Sequence, residues 1–490
     1  MRVSPQEFRT GLTYDDVLLV PKFSEIKSRK DVSTTTRFSR NISMSIPVVS
    51  ANMDTVTESS MAIALARLGG IGVIHRFLPV ADQVAEVSKV KRSEGIVIED
   101  PITLLPDRTV GEALEVIRKH DIGGIVVLDA DRRVAGLVTR RDIHLEEDLS
   151  VKISEVMTPL GNLITAQKGV TMEQAKELLR KNKIEKLPIL EKDGRLAGLI
   201  TSKDIVKRRQ FPMATKDAKG RLRVAAAIGV KGDYMHRAEK LLEVDVDALV
   251  VDIAHGHSAN AIDTVKEIRR RLGQVDVVAG NVATSRGTSD LIKAGADAVK
   301  VGVGSGSICI TRIVTGVGVP QLTAIIDSAN GAAEDDVPVI ADGGVRNPGD
   351  VTKALAAGAS TVMIGSLFAG TEESPGPTIL REGVRYKLTR GMASLEASID
   401  RKVRDSNGSS SKNGLVEEVV GESVPEGVEG LIPYKGKVEE VVRQLVGGLR
   451  SGMSYCGAKT ITELQRGAEF LRMSEAGLKE SRPHDIEKVV

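Results

Sequence analysis

The chain contains no tryptophan, and aromatic residues of all kinds make up only 2% of it. Its core must therefore be aliphatic, and recognition of single-stranded nucleic acid by base stacking does not fit. Cysteine is almost absent as well. Two in 490 residues, without metal-type spacing, argue against a disulfide framework or a zinc site. No apolar run is long enough to span a bilayer, and the opening residues MRVSPQEFRT lack a signal-peptide core. A soluble, reducing, cytoplasmic protein with no membrane partner is expected. Neither sign of charge dominates (+2 at pH 7), so electrostatics give no reason to expect a nucleic-acid partner. The length allows two or three domains.

Against this scarcity one cysteine stands out. Cys309 lies in the glycine-rich loop G-S-G-S-I-C-I-T-R, directly after the apolar run Ala298–Val303. Glycines let backbone approach a ligand closely, and a thiolate there can attack an electrophilic carbon. The other cysteine, Cys456, precedes an amphipathic segment and reads as a small buried side chain.

Short β-branched runs alternate with amphipathic helical stretches, the pattern of parallel α/β architecture. Eight strands are predicted: Pro47–Met53, Ile71–His75, Arg223–Gly229, Ala248–Ile253, Asp276–Gly280, Ala298–Val303, Pro338–Ala341 and Thr361–Ile364. Helices are predicted between most of them, among them Ser59–Leu68, Ala259–Arg271, Ser289–Ala294 and Pro348–Ala357. Eight such units predict a (β/α)8 TIM barrel with its site at the C-terminal strand ends. A doubly wound open sheet is the competing fold.

The barrel pattern is interrupted. It runs over 1–94, resumes at 212–490, and is broken by an insertion at 95–211. That insertion repeats itself: VAGLVTRRDI at Val134–Ile143 returns as LAGLITSKDI at Leu196–Ile205. The two copies, about 95–150 and 151–211, resemble a tandem CBS pair, or Bateman domain. The resemblance implies a cleft that binds regulatory adenine or guanine nucleotides, with Thr139, Asp142, Thr201 and Asp204 at the ribose and phosphate positions. A purely structural or oligomerising insert is the alternative.

Other motifs fall at predicted strand ends. IADGGV carries Asp342, Gly343 and Gly344 after the seventh strand, and Gly365-Ser366 follows the eighth. Loops at those two positions of a barrel often hold a phosphate on backbone N–H groups. Asp342 is placed to accept from two ribose hydroxyls. The plainer reading of Asp-Gly-Gly is a tight turn. The segment DIAHGHS, Asp252 to Ser258, follows the fourth strand and suits a second ligand bearing hydroxyls. Its two histidines also read as a metal pair, but no third ligand is evident. No G-x-G-x-x-G follows a strand and opens a helix, so a dinucleotide would have to use the barrel mouth. Residues 400–430 lack apolar periodicity and read as a linker or a mobile flap over the site.

With these pieces in place, the chain resembles the inosine 5′-monophosphate (IMP) dehydrogenase family along almost its whole length. The signatures are LTYDDVLLVP, VVSANMDTVTE, GGIGVIHR, DIAHGHS, GSGSIC-x-TR, IVTGVGVPQ, IADGG, MIGSL, VPEGVEG, PYKG and LVGGLRSGMSYCGAKTI. Guanosine 5′-monophosphate (GMP) reductase is the other main member of this superfamily. The resemblance implies that Cys309 attacks C2 of the purine, that hydride passes to NAD⁺, and that a covalent thioimidate is hydrolysed. Thr311 and Glu426 would shuttle protons. Ser307, Asp342, Gly343, Gly344, Gly365, Ser366, Arg390, Gly391, Met392 and Glu426 would hold the substrate IMP. Asp252, Ser258, Asn281, Gly302, Val303 and Gly304 would lie near the cofactor. A monovalent cation (K⁺) would sit on carbonyls of Gly304, Gly306 and Cys309, with Glu480, Ser481 and Arg482 supplied by a neighbouring subunit of a homotetramer.

The chain also departs from the family pattern. The dehydrogenases carry an Arg-Tyr pair in the flap, whose arginine activates water; here GSSSKNG places Lys412-Asn413 there. Lys412, Arg401 and Arg404 are the candidate substitutes, but a lysine lacks the planar fork of arginine. The phosphate segment Tyr-Arg-Gly-Met-Gly becomes Thr389-Arg390-Gly391-Met392-Ala393, Ile310 replaces a usual Thr, and Arg482 replaces a usual His. The missing water activator points toward the reductase. The C-terminal segment, VPEGVEG and the CBS pair point toward the dehydrogenase, which is the favoured reading. A catalytically weak nucleotide sensor is the third.

Overall fold

The computed structural model describes residues 8–94, 97–98, 101–144, 146–405 and 424–483. Among these, eight parallel strands form a closed barrel. They are β1 (Val48–Ser50), β2 (Ile71–Ile74), β3 (Ala225–Ile228), β4 (Ala248–Asp252), β5 (Asp276–Val282), β6 (Ala298–Val301), β7 (Val339–Asp342) and β8 (Thr361–Ile364). Each pairs with its neighbour in sequence, and β8 returns to β1 through Val362 opposite Val48. All eight predicted strands are present and the sheet is closed, which rules out the open alternative.

The strands read clearly in the sequence because both their faces are covered. Val49, Val73, Ala225, Ala227, Ala248, Val250, Val278, Ala298 and Ile340 fill the barrel interior. Phe38 and Ile42, from the turn between the short strands Thr36–Arg37 and Ser43–Met44, belong to the same core. The alternate residues pack outward against helices. The phrases KAGADAVKVG and AAGASTVMIG share one device, a left-handed glycine ending a helix: Gly295 at φ +112° and Gly358 at φ +109°. The helix predicted from Ser289 starts earlier, at Ser285, because the Thr284 hydroxyl caps it by accepting from Gly287 N. No described helix is long and apolar enough to cross a membrane.

Side-chain alternation decides what reaches the barrel mouth. Val250, Val278, Ala298 and Ile340 point inward. Two residues further along β4, β6 and β7, Asp252, Lys300 and Asp342 therefore also point inward, and Gly280 takes the same place on β5.

The chain divides into two compact units, one containing the barrel and one running over Arg92–Pro212 with Ala218–Arg221. The second unit is two copies of one motif. Helix Val110–His120 is followed by the hairpin Gly124–Leu128 and Val134–Thr139; helix Met172–Asn182 is followed by Lys186–Leu190 and Leu196–Thr201. Each helix opens with a capping box, Thr109 with Glu112 and Thr171 with Gln174, and ends on a left-handed residue, Asp121 and Lys183.

Candidate active site

The loop after β6 is shaped by close contacts. A Cβ on Gly302 would lie 2.1 Å from the Asp342 carbonyl oxygen, so only glycine lets this loop lie against the end of β7. Arg312 ties the loop together by donating to the carbonyls of Val303 (3.1 Å) and Val319 (2.5 Å). Cys309 is a half-buried free thiol, with Sγ 3.1 Å from the hydroxyl of Thr311. Thr311 opens the one-turn helix Thr311–Thr315.

Glu426 is brought to Cys309 by backbone alone. Ile310 N donates to Glu426 O (2.9 Å), and Val428 N donates to Ile308 O (3.0 Å). On the other side Gly391 N donates to Val428 O (3.0 Å), and Glu426 N to Ala393 O (2.9 Å). Segment 426–428 is therefore held between the cysteine loop and residues 391–393. Three stretches far apart in sequence meet here.

Next to the cysteine loop is a cavity of about 290 Å³. Ser307, Asp342, Gly343, Gly344, Gly365 and Ser366 all line it, together with Gly306 and Met53. Gly343 and Gly344 have φ of +99° and +80°, so Asp-Gly-Gly is both a tight turn and a cavity wall.

The polar centre is a lysine missed in the sequence reading. Lys300 is 3% exposed and donates to Asp342 Oδ2 (2.8 Å), Asp252 Oδ1 (3.2 Å) and Asn281 Oδ1 (2.5 Å). Asn281 in turn donates to Gly302 O (2.9 Å) and Asp342 Oδ2 (2.9 Å). Burial opposes the charge on Lys300, but the carboxylates of Asp342 and Asp252 outweigh it and raise its pKa. Burial likewise opposes ionisation of Asp252; Lys300, Arg76 and Asn52 hold its pKa below the usual carboxylate range. The available signal was a lysine interrupting the apolar run of β6.

Several other candidate residues have defined surroundings. The Ser258 hydroxyl is buried with no partner among the described residues. His257 Nε2 lies 2.9 Å from Asp290 Oδ2, so one of the two loop histidines is engaged by a carboxylate. Arg390 does not stand free for a phosphate: its guanidinium donates to Asp54 (2.8 and 2.6 Å) and Asp400 (2.6 Å). Glu480 ends the helix Glu475–Glu480 and Ser481 caps it; the Asp15 pKa is lowered chiefly by its hydrogen bond from Arg346, with Arg482 a lesser contributor. Lys412 and Asn413 lie outside the described residues, as do the side chains of Arg401 and Arg404. Val303 and Met392 are half-buried.

In the second unit, Thr139, Asp142 and Thr201 line a cleft of about 470 Å³ between the two copies. Thr139 donates through both its N–H (2.6 Å) and its hydroxyl (2.8 Å) to the Asp142 carboxylate. Asp204 lies on the matching helix, Ser202–Gln210; its side chain is outside the described set.

Known proteins match nearly the whole chain. Residues 11–484 fit the family model described as IMP dehydrogenase / GMP reductase domain. An inosine-5′-monophosphate dehydrogenase of Nitrosopumilus maritimus is 54% identical, over 98% of this chain and 99% of its own. That of Bacillus subtilis is 50% identical, over 98% and 96%. Among solved structures, a cysteine-to-alanine variant of GMP reductase from Trypanosoma brucei, in complex with guanosine 5′-monophosphate, superposes with a TM-score of 0.91. It is 45% identical and covers 98% of this chain and 99% of that one. With a cysteine loop, a glycine-lined cavity and a buried acid–lysine centre at the barrel mouth, the chain belongs to the IMP dehydrogenase/GMP reductase family of oxidoreductases.

Proposed function

We propose that the chain oxidises IMP to xanthosine monophosphate with NAD⁺. The observation that carries this reading is the Cys309–Thr311 pair, held by backbone against Glu426 and beside the cavity of Asp342, Gly343, Gly344, Gly365 and Ser366. The 50–54% identity to IMP dehydrogenases supports it.

In this reading the cavity takes the nucleotide phosphate on Gly343, Gly344, Gly365 and Ser366, and Asp342 takes the ribose. Cys309 Sγ forms a bond to C2, and the hydride of C2 leaves. NAD⁺, when bound, accepts that hydride. A water then attacks C2, the S–C bond breaks, and the thiol is restored. Thr311, in contact with Sγ, is placed to move the thiol proton, with Glu426 behind it. The dinucleotide fits the loop of Asp252 and Ser258, whose buried hydroxyl has no partner among the described residues. Neutral carbonyls of Gly304, Gly306 and Cys309 suit a large monovalent cation such as K⁺, completed by Glu480–Arg482 of another subunit in a homotetramer. The cleft with Thr139, Asp142 and Thr201 is read as the regulatory adenine or guanine nucleotide site, with Asp204 as the second copy's counterpart of Asp142, within a CBS insertion at 95–211.

A second reading is GMP reductase, favoured by the absence of a flap Arg-Tyr pair. A T. brucei reductase matches over 98% of this chain, so the insertion is no argument for one activity over the other. Purified protein is assayed with IMP and NAD⁺, and separately with GMP and NADPH. NADH formation in the first mixture alone is expected. NADPH consumption in the second alone overturns the proposal in favour of the reductase. Turnover in neither, with nucleotide still bound, would support a sensor. Replacing Lys412 should slow thioimidate hydrolysis more than hydride transfer. An unchanged NADH burst and an unchanged steady rate would remove Lys412 as the water activator.

A further inference from the structure

We propose that Lys300 is a positioning residue for the substrate ribose: its ammonium, with Asn281, fixes one oxygen of Asp342 so that the other faces the sugar hydroxyls. The proposal rests on the nucleotide reading above, in which Asp342 takes the ribose.

Three observations carry it. First, Lys300 has three N–H donors and three acceptors within reach, on Asp342, Asp252 and Asn281. Its donors are used up, which leaves it no proton to give a reacting atom and makes it a holder of other groups. Second, only one oxygen of Asp342 is held. Oδ2 accepts from Lys300 (2.8 Å) and Asn281 (2.9 Å), and Oδ1 has no partner among the described residues. The Asp342 backbone is fixed as well, since its carbonyl accepts from Ser305 Oγ (2.8 Å) and Gln321 Nε2 (3.1 Å). A carboxylate anchored through its carbonyl and one oxygen presents the second oxygen in a defined direction. Third, the neighbouring strand makes room for the lysine. Gly280 pairs with Lys300 across β5 and β6, and a Cβ there would lie 2.5 Å from the Lys300 carbonyl and 2.7 Å from its Cβ.

The charges around this centre leave Lys300 without a substitute. Asp252 is the other carboxylate, and Arg76 reaches only Asp252, at 3.9 Å. No other cation contacts the Asp342 carboxylate among the described residues. A lysine serving only to neutralise buried acids would support every ligand equally. A lysine that aims Asp342 affects only ligands carrying the hydroxyls.

The test is calorimetric binding of IMP and of 2′-deoxy-IMP to the full-length chain, wild type and Lys300→Met. Wild type is expected to prefer the ribonucleotide by roughly ten- to a hundredfold, the range for hydrogen bonds to a charged group. In Lys300→Met that preference should fall to within about threefold, by loss of IMP affinity with little change for the deoxynucleotide. A preference that survives in Lys300→Met, with both ligands weakened equally, overturns the proposal and leaves the enzymatic reading intact. A wild-type chain that binds IMP and its deoxy form alike overturns both this role and the ribose assignment of Asp342. Should the methionine variant not fold, Lys300→Gln, which keeps a donor for one carboxylate, is measured instead against the same outcomes.

Discussion

Cys309 and Gly427 face each other across a single antiparallel bridge. The bridge places Glu426 one residue from the partner of the proposed nucleophile, whatever the side chains do. Gly427 also lies against the backbone of residues 391–394: a Cβ there would be 3.2 Å from Gly391 Cα and 3.2 Å from Ser394 N. Neither atom belongs to a flexible side chain. Gly427→Ala should therefore push the 426–428 segment off the cysteine loop by a few tenths of an ångström. We expect kcat to fall about tenfold while nucleotide affinity changes less than about twofold, because misplacement of reacting groups costs rate steeply. Steady-state kinetics together with calorimetric IMP binding check this, and an unchanged kcat would show that the bridge does not position Glu426.

Cys309→Ala removes the proposed nucleophile and little volume. Turnover should drop to background while IMP binding stays within a few-fold of wild type, because phosphate and ribose are assigned to Gly343, Gly344, Gly365, Ser366 and Asp342. Residual turnover well above background contradicts the covalent route.

The barrel was legible because a strand buried on both faces reads as a continuous apolar run. This holds for TVMI at Thr361–Ile364 and for the ALVV that opens Ala248–Asp252. Cys309 was legible for the opposite reason: it is rare and sits among glycines. The acid–lysine centre was not, because its members come from four different strands, and no spacing in the sequence links Asp252, Asn281, Lys300 and Asp342. Lys300 was visible only as an oddity inside β6. The engagement of Arg390 was equally hidden. Asp54 follows β1 and Asp400 lies in the helix Leu395–Asp405, so only the folded chain reveals that its guanidinium is occupied.

The repeated glycine of VAGL and LAGL explains how the two copies of the insertion lock together. Gly136 lies where the strand Thr158–Pro159, near the start of the second copy, pairs with the first hairpin; a Cβ there would lie 2.6 Å from Met157 Sδ and 2.7 Å from Thr158 O. Gly198 lies where Ile98, at the start of the first copy, bridges to Leu199 of the second; a Cβ there would lie 2.3 Å from Val97 and 2.9 Å from Ile98 O. Its φ of +156° adds backbone strain for any other residue. Gly198→Ala should destabilise the insertion by about 2–3 kcal/mol. Limited proteolysis should then cut within 95–211 sooner than in wild type, with basal turnover held within about twofold. Equal cleavage rates would show that the bridge between Ile98 and Leu199 tolerates the methyl.

Glu86 gives a prediction with a definite pH sign. From the helix Val80–Ser93 it accepts from Ser59 N (2.7 Å), capping the start of the helix Ser59–Arg67, and it also pairs with Lys89. Burial opposes its charge, but Lys89 and Ser59 outweigh this and hold its pKa below the ordinary 4.5. A carboxyl lowered by folding contributes stability that is present above its unfolded value and lost as the pH falls through the folded one. Glu86→Gln keeps an acceptor for Ser59 but no charge. The variant should melt below wild type at pH 7, by an amount corresponding to about 0.5–1 kcal/mol for a charge at a helix N-terminus. That gap should hold down to about pH 5.5 and close on further acidification, as Glu86 in wild type takes up its proton. Calorimetric melting of both proteins along this series checks it. A gap that widens on acidification, or that is the same at every pH, would mean that Glu86 acts by packing and not by its charge at the helix end.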